Sequence, residues 1–145
     1  MKVFCDTNVL VAAVLANHPH HQAARPVVER IKAGADEGLM SVHSLAESYA
    51  VLTRLPGASQ VAPGMAWQLV NENEIKNFTL VTLTGRDYAR FLEQASANGI
   101  QGGMIYDALL LAAAAKSGAD RIYTFNVSHF QNMADASLRQ RIVSP

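Results

Sequence analysis

The sequence predicts a three-layer α/β/α domain with a central parallel sheet, and two observations support that fold class. Short apolar segments typical of buried strands, such as residues 2–6 and 121–125, alternate with longer segments of helical periodicity. Parallel strands require crossovers of about a dozen residues, and the crossover helices cover both faces of the sheet. At 145 residues, half of them hydrophobic, the chain can bury one core, so we expect a single domain over residues 1–145.

Elements in the first half of the chain follow from apolar periodicity, with glycine or proline at their boundaries. Gly34 and Gly38 separate a helix from the next strand, Pro26 marks a kink or a helix start, and Pro56-Gly57 stops a helix. The predicted elements are a strand at 2–6, helices at 8–16 and 20–33, a strand at 39–41, and helices at 44–55 and 63–73.

The second half of the chain shows the same alternation. Gly99 ends a helix, Gly102 and Gly103 form a hinge, and Gly118 ends the most apolar helix. The predicted elements are a strand at 78–82, helices at 85–98 and 104–117, a strand at 121–125, and a polar turn at 126–129.

Composition limits the class of protein. Twelve basic and twelve acidic residues cancel, so the overall charge neither favours nor excludes a nucleic-acid partner. The single cysteine, Cys5, lies in a predicted strand and is typical of a small buried hydrophobe in a reducing compartment. The longest uncharged apolar runs, at 9–16 and 108–115, are too short to span a membrane. We therefore expect a soluble cytoplasmic protein that has no membrane partner.

Two carboxylates interrupt the segments that look most like buried core. Asp6 ends the first strand, and Asp107 lies in a helix whose apolar neighbours predict burial on all sides. A buried ionised carboxylate is costly unless a cation or hydrogen-bond donors compensate it, so two such groups together would form a cation site. The alternatives are a helix N-cap for Asp6 and an acid that complements the helix dipole for Asp107.

Two further side chains are ambiguous from the pattern alone. Glu47 either closes a capping box that begins at Ser44 or serves a functional site, since it lies away from the apolar stripe predicted at Leu45, Tyr49 and Leu52. Asn126 follows the strand at 121–125 and is either a turn former or a ligand. The carboxyl ends of parallel strands share one edge of the sheet, which places Asn126 near Asp6.

Four short motifs resemble the PIN-domain ribonucleases of the VapC toxin type. They are DTNVL at 6–10, SVHSLAE at 41–47, YDA at 106–108 and TFNVSHF at 124–130, in the order and spacing of that family. The resemblance implies a PIN-like α/β fold and an acidic core of Asp6, Glu47 and Asp107 that binds metal. Position 126 would be the fourth catalytic member, where many relatives have Asp and this chain has Asn126.

The resemblance also implies an activity and partners. Carboxylate oxygens without a His or Cys cluster favour Mg²⁺ or Mn²⁺, and the family hydrolyses RNA phosphodiester bonds to leave a 5′ phosphate and a 3′ hydroxyl. Thr7 and Thr124 would hold the carboxylates in place by hydrogen bonds. Proteins of this type are neutralised by a cognate antitoxin and commonly form homodimers.

Other functions compete with this interpretation. A haloacid-dehalogenase-like phosphatase also has an aspartate after its first strand, but it needs a second acid where this chain has Asn8. A degenerate PIN scaffold that binds RNA or a protein without cleavage is favoured only by Asn126. His18, His20 and His21 are expected in a surface loop without a metal, and His43 is expected to be a capping or surface residue.

Overall fold

The computed structural model describes every residue, 1–145, and contains a five-stranded sheet with eight helices. The strands are β1 (Lys2–Cys5), β2 (Glu37–Ser41), β3 (Phe78–Val81), β4 (Arg121–Tyr123) and β5 (Ile142–Val143). The helices are α1 (Thr7–Val14), α2 (His21–Lys32), α3 (Val42–Arg54), α4 (Pro63–Val70), α5 (Gly85–Ala97), α6 (Met104–Ser117), α7 (Val127–Met133) and α8 (Ala136–Arg139). A short 3₁₀ turn (Gly57–Ser59) and a π-helical turn (Asn71–Ile75) complete the chain.

The sheet is entirely parallel, with the strand order β3-β2-β1-β4-β5. Its central strand is β1, in which Phe4 is paired with Leu39 on one side and with Ile122 on the other. Because every connection between neighbouring parallel strands crosses over, helices cover the sheet on both sides. The predicted three-layer parallel architecture is confirmed.

Side chains that alternate along the strands divide the core into two layers. One cluster packs the face of Phe4, Leu39 and Ile122 against α5, α6 and the segment that contains α7 and α8. The other packs the face of Cys5 and Met40 against α1 and α2. Alternation of this kind is what a strand buried on both faces requires. A third, smaller cluster joins α3 and α4 around Leu52.

Close contact between α2 and β2 depends on Gly38. A Cβ atom at this position would lie 2.5 Å from Ile31 Cγ2 and 2.8 Å from Phe78 Cδ1. Residue 38 therefore has space only for hydrogen, and a glycine that looks like a turn signal in the sequence lies inside β2.

The helices differ from the predicted pattern in three places. In α3 the buried face is formed by Ser44, Ser48 and Leu52, whereas Tyr49 of the predicted apolar stripe is exposed. The predicted polar turn at 126–129 is instead the beginning of α7. The sequence pattern also did not predict α8 and β5, which are four and two residues long.

Helix α6 corrects the expectation that it is buried all round. Leu109, Leu110 and Leu111 are buried as predicted, but Met104 and Tyr106 are exposed. A crossover helix runs antiparallel to its strands and begins at the edge where the strands end, so its first turn can extend beyond the sheet.

Glu74, in the π-helical turn, is a buried acid outside the predicted motifs. It is 2% exposed, and burial raises its pKa to about 8. The hydroxyl of Ser48 in α3 counteracts part of this rise in pKa, although neither Ser48 Oγ nor Glu74 Oε2 makes a hydrogen bond of good geometry. Elsewhere in the fold, no helix combines the length and the hydrophobicity that a membrane span needs.

Candidate active site

The carboxylate of Asp6 lies at the carboxyl end of the central strand and is 3% exposed. The Thr124 hydroxyl donates a hydrogen bond to Asp6 Oδ2 at 2.7 Å. Burial is the largest cause that raises the pKa of Asp6 to about 7; the charges of Asp107 and Glu47 raise it further, against the lowering effect of the Thr124 hydrogen bond. Asp6 also precedes α1, but its side chain makes no capping hydrogen bond.

Glu47 is half-exposed on α3 and contacts a histidine of the same helix. Its Oε2 lies 3.0 Å from His43 Nε2, four residues earlier in the helix. Of the two alternatives for Glu47, the capping box at Ser44 is excluded, because the helix is capped by Ser41, whose hydroxyl accepts the His43 N–H at 3.2 Å. Glu47 is therefore free of any capping role.

Asp107 lies in the first turn of α6, where its side chain is 34% exposed. The predicted burial of this carboxylate is wrong, since the first turn of α6 is partly open to solvent. Asp107 Oδ2 lies 2.9 Å from Nε2 of His129, which lies in α7. A histidine thus pairs with each of the two half-exposed acids.

Asn126 is exposed at the start of α7, and its side chain makes no capping hydrogen bond. Its backbone N–H donates to Thr124 Oγ1 at 3.0 Å. Asn8 holds the same loop from the other side: its Nδ2 donates to Thr124 Oγ1 at 3.4 Å, and its Oδ1 accepts the Phe125 N–H at 3.3 Å. Asn8 therefore joins the start of α1 to the end of β4.

The two threonines that were predicted to support the carboxylates have different contacts. Thr124 binds Asp6 directly, as predicted. The Thr7 hydroxyl instead donates to the buried Ser44 hydroxyl at 3.0 Å and joins α1 to α3, while the Thr7 backbone helps to lower the pKa of Asp6.

The topology explains why residues so far apart in sequence meet. The strands β1, β2 and β4 are parallel, so the helices that follow them, α1, α3 and α7, begin at one edge, and the crossover helix α6 begins there too. Asp107 and Glu47 are close enough for their charges to act on Asp6. However, no three His, Cys, Asp or Glu side chains lie close enough to hold a metal ion between them as they stand.

Sequence reasoning did not assign His43 and His129 to this edge. The spacing of four residues between His43 and Glu47 is a helical signal that could have identified the first pair. The second pair could not be found locally, because α7 was predicted as a turn. Of the three histidines expected in a surface loop, His20 stacks on Phe125 with ring centroids 4.3 Å apart.

The acids at this edge offer oxygen donors of the kind that hard divalent cations bind. Burial, and to a smaller extent the charges of Asp107 and Glu47, raise the pKa of Asp6, so the ionised form of this carboxylate is disfavoured where no cation compensates it. Hard oxygen donors favour Mg²⁺ or Mn²⁺. Asn8 is occupied by backbone and hydroxyl contacts and is not an acid, so the nucleophile-and-acid pair of a dehalogenase-like phosphatase is absent.

An exposed aromatic pair borders the acids. The Tyr106 and His43 rings are parallel within 4°, with centroids 5.4 Å apart. Tyr106 precedes Asp107 in α6, and His43 contacts Glu47, so the pair connects the two half-exposed acids across the site.

Comparisons with known proteins place this arrangement in a family. A family model described as PIN domain matches residues 3–136. Ribonuclease VapC27 of Mycobacterium tuberculosis is 36% identical over 115 residues, which cover 79% of this chain and 78% of that protein. Ribonuclease VapC40 of the same organism is 31% identical over 114 residues and 79% of each chain.

Two solved structures share the fold at lower sequence identity. VapBC2 from Rickettsia felis, bound to a DNA fragment from its promoter, has a TM-score of 0.64 at 18% identity and covers 92% of this chain and 93% of its own. Mycobacterium tuberculosis VapC20, a toxin that cleaves the sarcin-ricin loop, has a TM-score of 0.67 at 20% identity and covers 88% of this chain and 92% of its own.

Proposed function

The chain belongs to the PIN domain family, as a ribonuclease of the VapC type, and from this premise we propose that it is an Mg²⁺- or Mn²⁺-dependent endoribonuclease that acts as the toxin of a toxin–antitoxin pair. Its catalytic residues would be Asp6, Glu47, Asp107 and Asn126 within a single PIN domain over residues 1–145. The substrate is RNA, cleaved to a 5′ phosphate and a 3′ hydroxyl.

The observation that supports this proposal most strongly is the electrostatic state of Asp6. A carboxylate that is 3% exposed is raised in pKa by burial and by two other acids that come from distant parts of the chain. A fold gains nothing in stability from such an arrangement in the absence of a cation. A divalent cation would relieve the repulsion and favour the ionised form of all three groups.

Asp6, Asp107 and Glu47 would hold the metal ion, which supplies an activated water and neutralises charge on the phosphate. The chain itself positions the ligands. Thr124 fixes the orientation of Asp6 by its hydrogen bond, and Asn8 fixes the loop that carries Thr124.

Binding of an ion by the two half-exposed acids would require each to exchange a partner. Glu47 and Asp107 contact His43 and His129, and neither contacts a lysine or arginine. A histidine contact is weaker than a charge-assisted bond to arginine, and it is lost without leaving a fixed positive charge in the site.

Three further properties extend the proposal to partners and location. The relatives named VapC, and the VapBC2 complex among the structural neighbours, support a cognate antitoxin as the protein partner. A homodimer follows from the family resemblance and is testable by light scattering of the purified protein. We place the protein in the cytoplasm without a membrane partner, in keeping with its buried free cysteine.

Cleavage of a total tRNA pool tests the activity. We expect fragments that carry 5′ phosphates to accumulate with Mn²⁺ and to be absent with EDTA. If the protein is the non-cleaving RNA-binding scaffold, which the neutral Asn126 alone favours, the RNA will shift in a native gel without becoming shorter. That result would disprove the nuclease proposal.

Isothermal calorimetry tests the metal site independently of activity. The Asp6→Ala, Asp107→Ala double variant should lose Mn²⁺ binding. The matched control is Glu29→Ala, Glu93→Ala, which removes two exposed acids from α2 and α5 and should bind Mn²⁺ like the parent. Equal binding by the parent and the first double variant would show that the ligands are elsewhere.

A further inference from the structure

We propose that Tyr106, stacked on His43, forms a platform on which one unpaired base of the RNA stacks beside the scissile phosphate. This inference rests on the proposed ribonuclease function and adds to it the part of the site that binds a base. The ligand class is a nucleobase in single-stranded RNA, and the platform consists of Tyr106 and His43.

The platform is fixed in orientation before any ligand binds. The two rings are parallel within 4° and their centroids are 5.4 Å apart, an offset stack. Nε2 of His43 itself lies 3.0 Å from Oε2 of Glu47, so the tyrosine ring packs against a residue that contacts the acidic cluster. A surface that is already ordered loses little conformational entropy when it binds a base.

Folding does not explain the exposure of Tyr106. It is 54% exposed in a helix whose leucines at 109–111 are buried, and its hydroxyl makes no hydrogen bond within the protein. The second aromatic pair at this edge, His20 on Phe125, differs because Phe125 is partly buried and packs against a hydrophobic cluster. Of the two pairs, only the platform presents a large aromatic surface that is not needed by the core.

The chemistry of the site favours stacking over charge as the way to hold RNA. The net charge is zero, and the acids of the site have only histidine partners, so general electrostatic attraction for phosphates is weak. Unpaired RNA bases stack on Tyr and His rings through their π-faces, which needs no positive charge. Tyr106 precedes Asp107, so a base on the platform would lie next to a phosphate bound at the metal ion that the acids would hold.

Fluorescence anisotropy with a short fluorescein-labelled single-stranded RNA, in EDTA to prevent cleavage, measures the contribution of the platform. Tyr106→Ala should weaken binding roughly 5- to 100-fold, the loss expected for one base stack. Tyr106→Phe keeps the ring and should bind like the parent. The matched control is Trp67→Ala in α4, which removes an equally exposed aromatic side chain, 55% against 54%, and should leave binding unchanged.

Base removal from the RNA identifies the partner of Tyr106. Abasic nucleotides introduced one at a time should reveal a single position where the parent loses affinity by the same factor as in Tyr106→Ala. At that position the abasic RNA should bind no more weakly to Tyr106→Ala than the intact RNA does, because the same stack is already missing. Circular dichroism of each variant shows that the fold is retained.

The outcomes separate this inference from the ribonuclease proposal. Three results would each overturn the platform. The first is equal RNA affinity of Tyr106→Ala and the parent, and the second is an equal loss of affinity in Tyr106→Ala and Trp67→Ala. The third is the absence of RNA binding by the parent both in EDTA and in Ca²⁺. Cleavage of tRNA by the parent would leave the nuclease function intact in those cases. Conversely, Tyr106-dependent binding of a base without any cleavage in Mn²⁺ would support the platform and disprove the nuclease.

Discussion

Residue by residue, the candidate site combines one buried acid with two half-exposed acids. The sequence predicted the buried acid correctly, because Asp6 directly follows an apolar strand and the end of a parallel strand is a defined edge. It predicted burial wrongly for Asp107, which has equally apolar neighbours. The difference is how far the first turn of α6 extends beyond the sheet, and no local pattern encodes that distance.

Replacement of the buried acid should stabilise the metal-free protein. At pH 8 and in EDTA, we expect Asp6→Asn to raise the free energy of unfolding by up to about 4 kcal/mol, because the folded pKa of about 7 lies above the ordinary aspartate pKa of 3.8. A raised folded pKa means that stability is present at low pH and is lost as the pH rises through 7, so the gain should vanish below about pH 4. Thermal melts of the parent and of Asp6→Asn between about pH 4 and pH 8 measure this gain in stability.

Asp107→Asn is the matched control for that experiment. Asp107 is half-exposed and contacts His129, so its replacement relieves only its repulsion with Asp6 and weakens a contact, and it should raise the melting temperature at pH 8 less than Asp6→Asn does. A stabilisation that is larger for Asp107→Asn than for Asp6→Asn would show that the repulsion is centred on Asp107.

The amide at position 126 should limit metal binding. Asn126→Asp is expected to lower the Mn²⁺ concentration for half-maximal RNA cleavage several-fold, since a carboxylate binds a hard cation more tightly than an amide does. The exposed Asn126 side chain makes no capping hydrogen bond that the change would break. The cleavage positions in the RNA should stay the same. An unchanged metal titration would show that residue 126 only begins α7.

At the scale of secondary structure, long apolar elements were predictable and short ones were not. Helix α6 has its predicted bounds, because its apolar composition and the glycine that follows it indicate the same end of the helix. Gly118 adopts the left-handed conformation there. In α3 the buried face contains two serines, which an apolar pattern cannot identify. Ser44 tolerates burial because its hydroxyl accepts a hydrogen bond from the Thr7 hydroxyl. Strand β5 has only two residues, so its sequence shows no alternation of apolar and polar positions from which a strand could be predicted.

The contact between α2 and β2 gives a test of packing. Gly38→Ala should destabilise the protein by about 1–3 kcal/mol, because the added methyl group overlaps Ile31 and Phe78. Urea unfolding measures the change, with an unaltered slope if the unfolded state is unaffected. Gly64→Ala in α4 is the control: nothing lies within 4 Å of the new methyl group, and the helix should gain about 0.5–1 kcal/mol. Equal effects at both positions would contradict the packing argument.

For the molecule as a whole, the buried acid outside the candidate site should shape stability against pH. Glu74 has a folded pKa of about 8, against an ordinary glutamate pKa of 4.5, so its stabilising contribution is complete below about pH 4 and is lost as the pH rises through 8. Glu74→Gln should equal the parent near pH 4 and exceed it at pH 9 by about 2–5 kcal/mol. Denaturant melts at the two pH values measure this. If the free energies of unfolding of the two proteins change in parallel with pH, Glu74 is ionised in the folded protein.

Sheet order is the property of the whole molecule that the sequence could not give. Alternation of strands and helices predicted the parallel, three-layer architecture, but no residue pattern states which strands are neighbours. In the structure β1 lies between β2 and β4, and only that order brings Asp6 to Thr124 and Asn8 to Phe125. The motif resemblance did not predict the two histidines that contact Glu47 and Asp107.

The position of β1 at the centre of the sheet has a consequence for the order of folding. β1 pairs with β4, and Asp6 receives its hydrogen bond from a residue 118 positions later. Contacts between residues so far apart in sequence form late, because the entropy cost of closing a long loop opposes them. We therefore expect the acidic edge to assemble after the contacts between β1 and its nearer neighbour in sequence, β2.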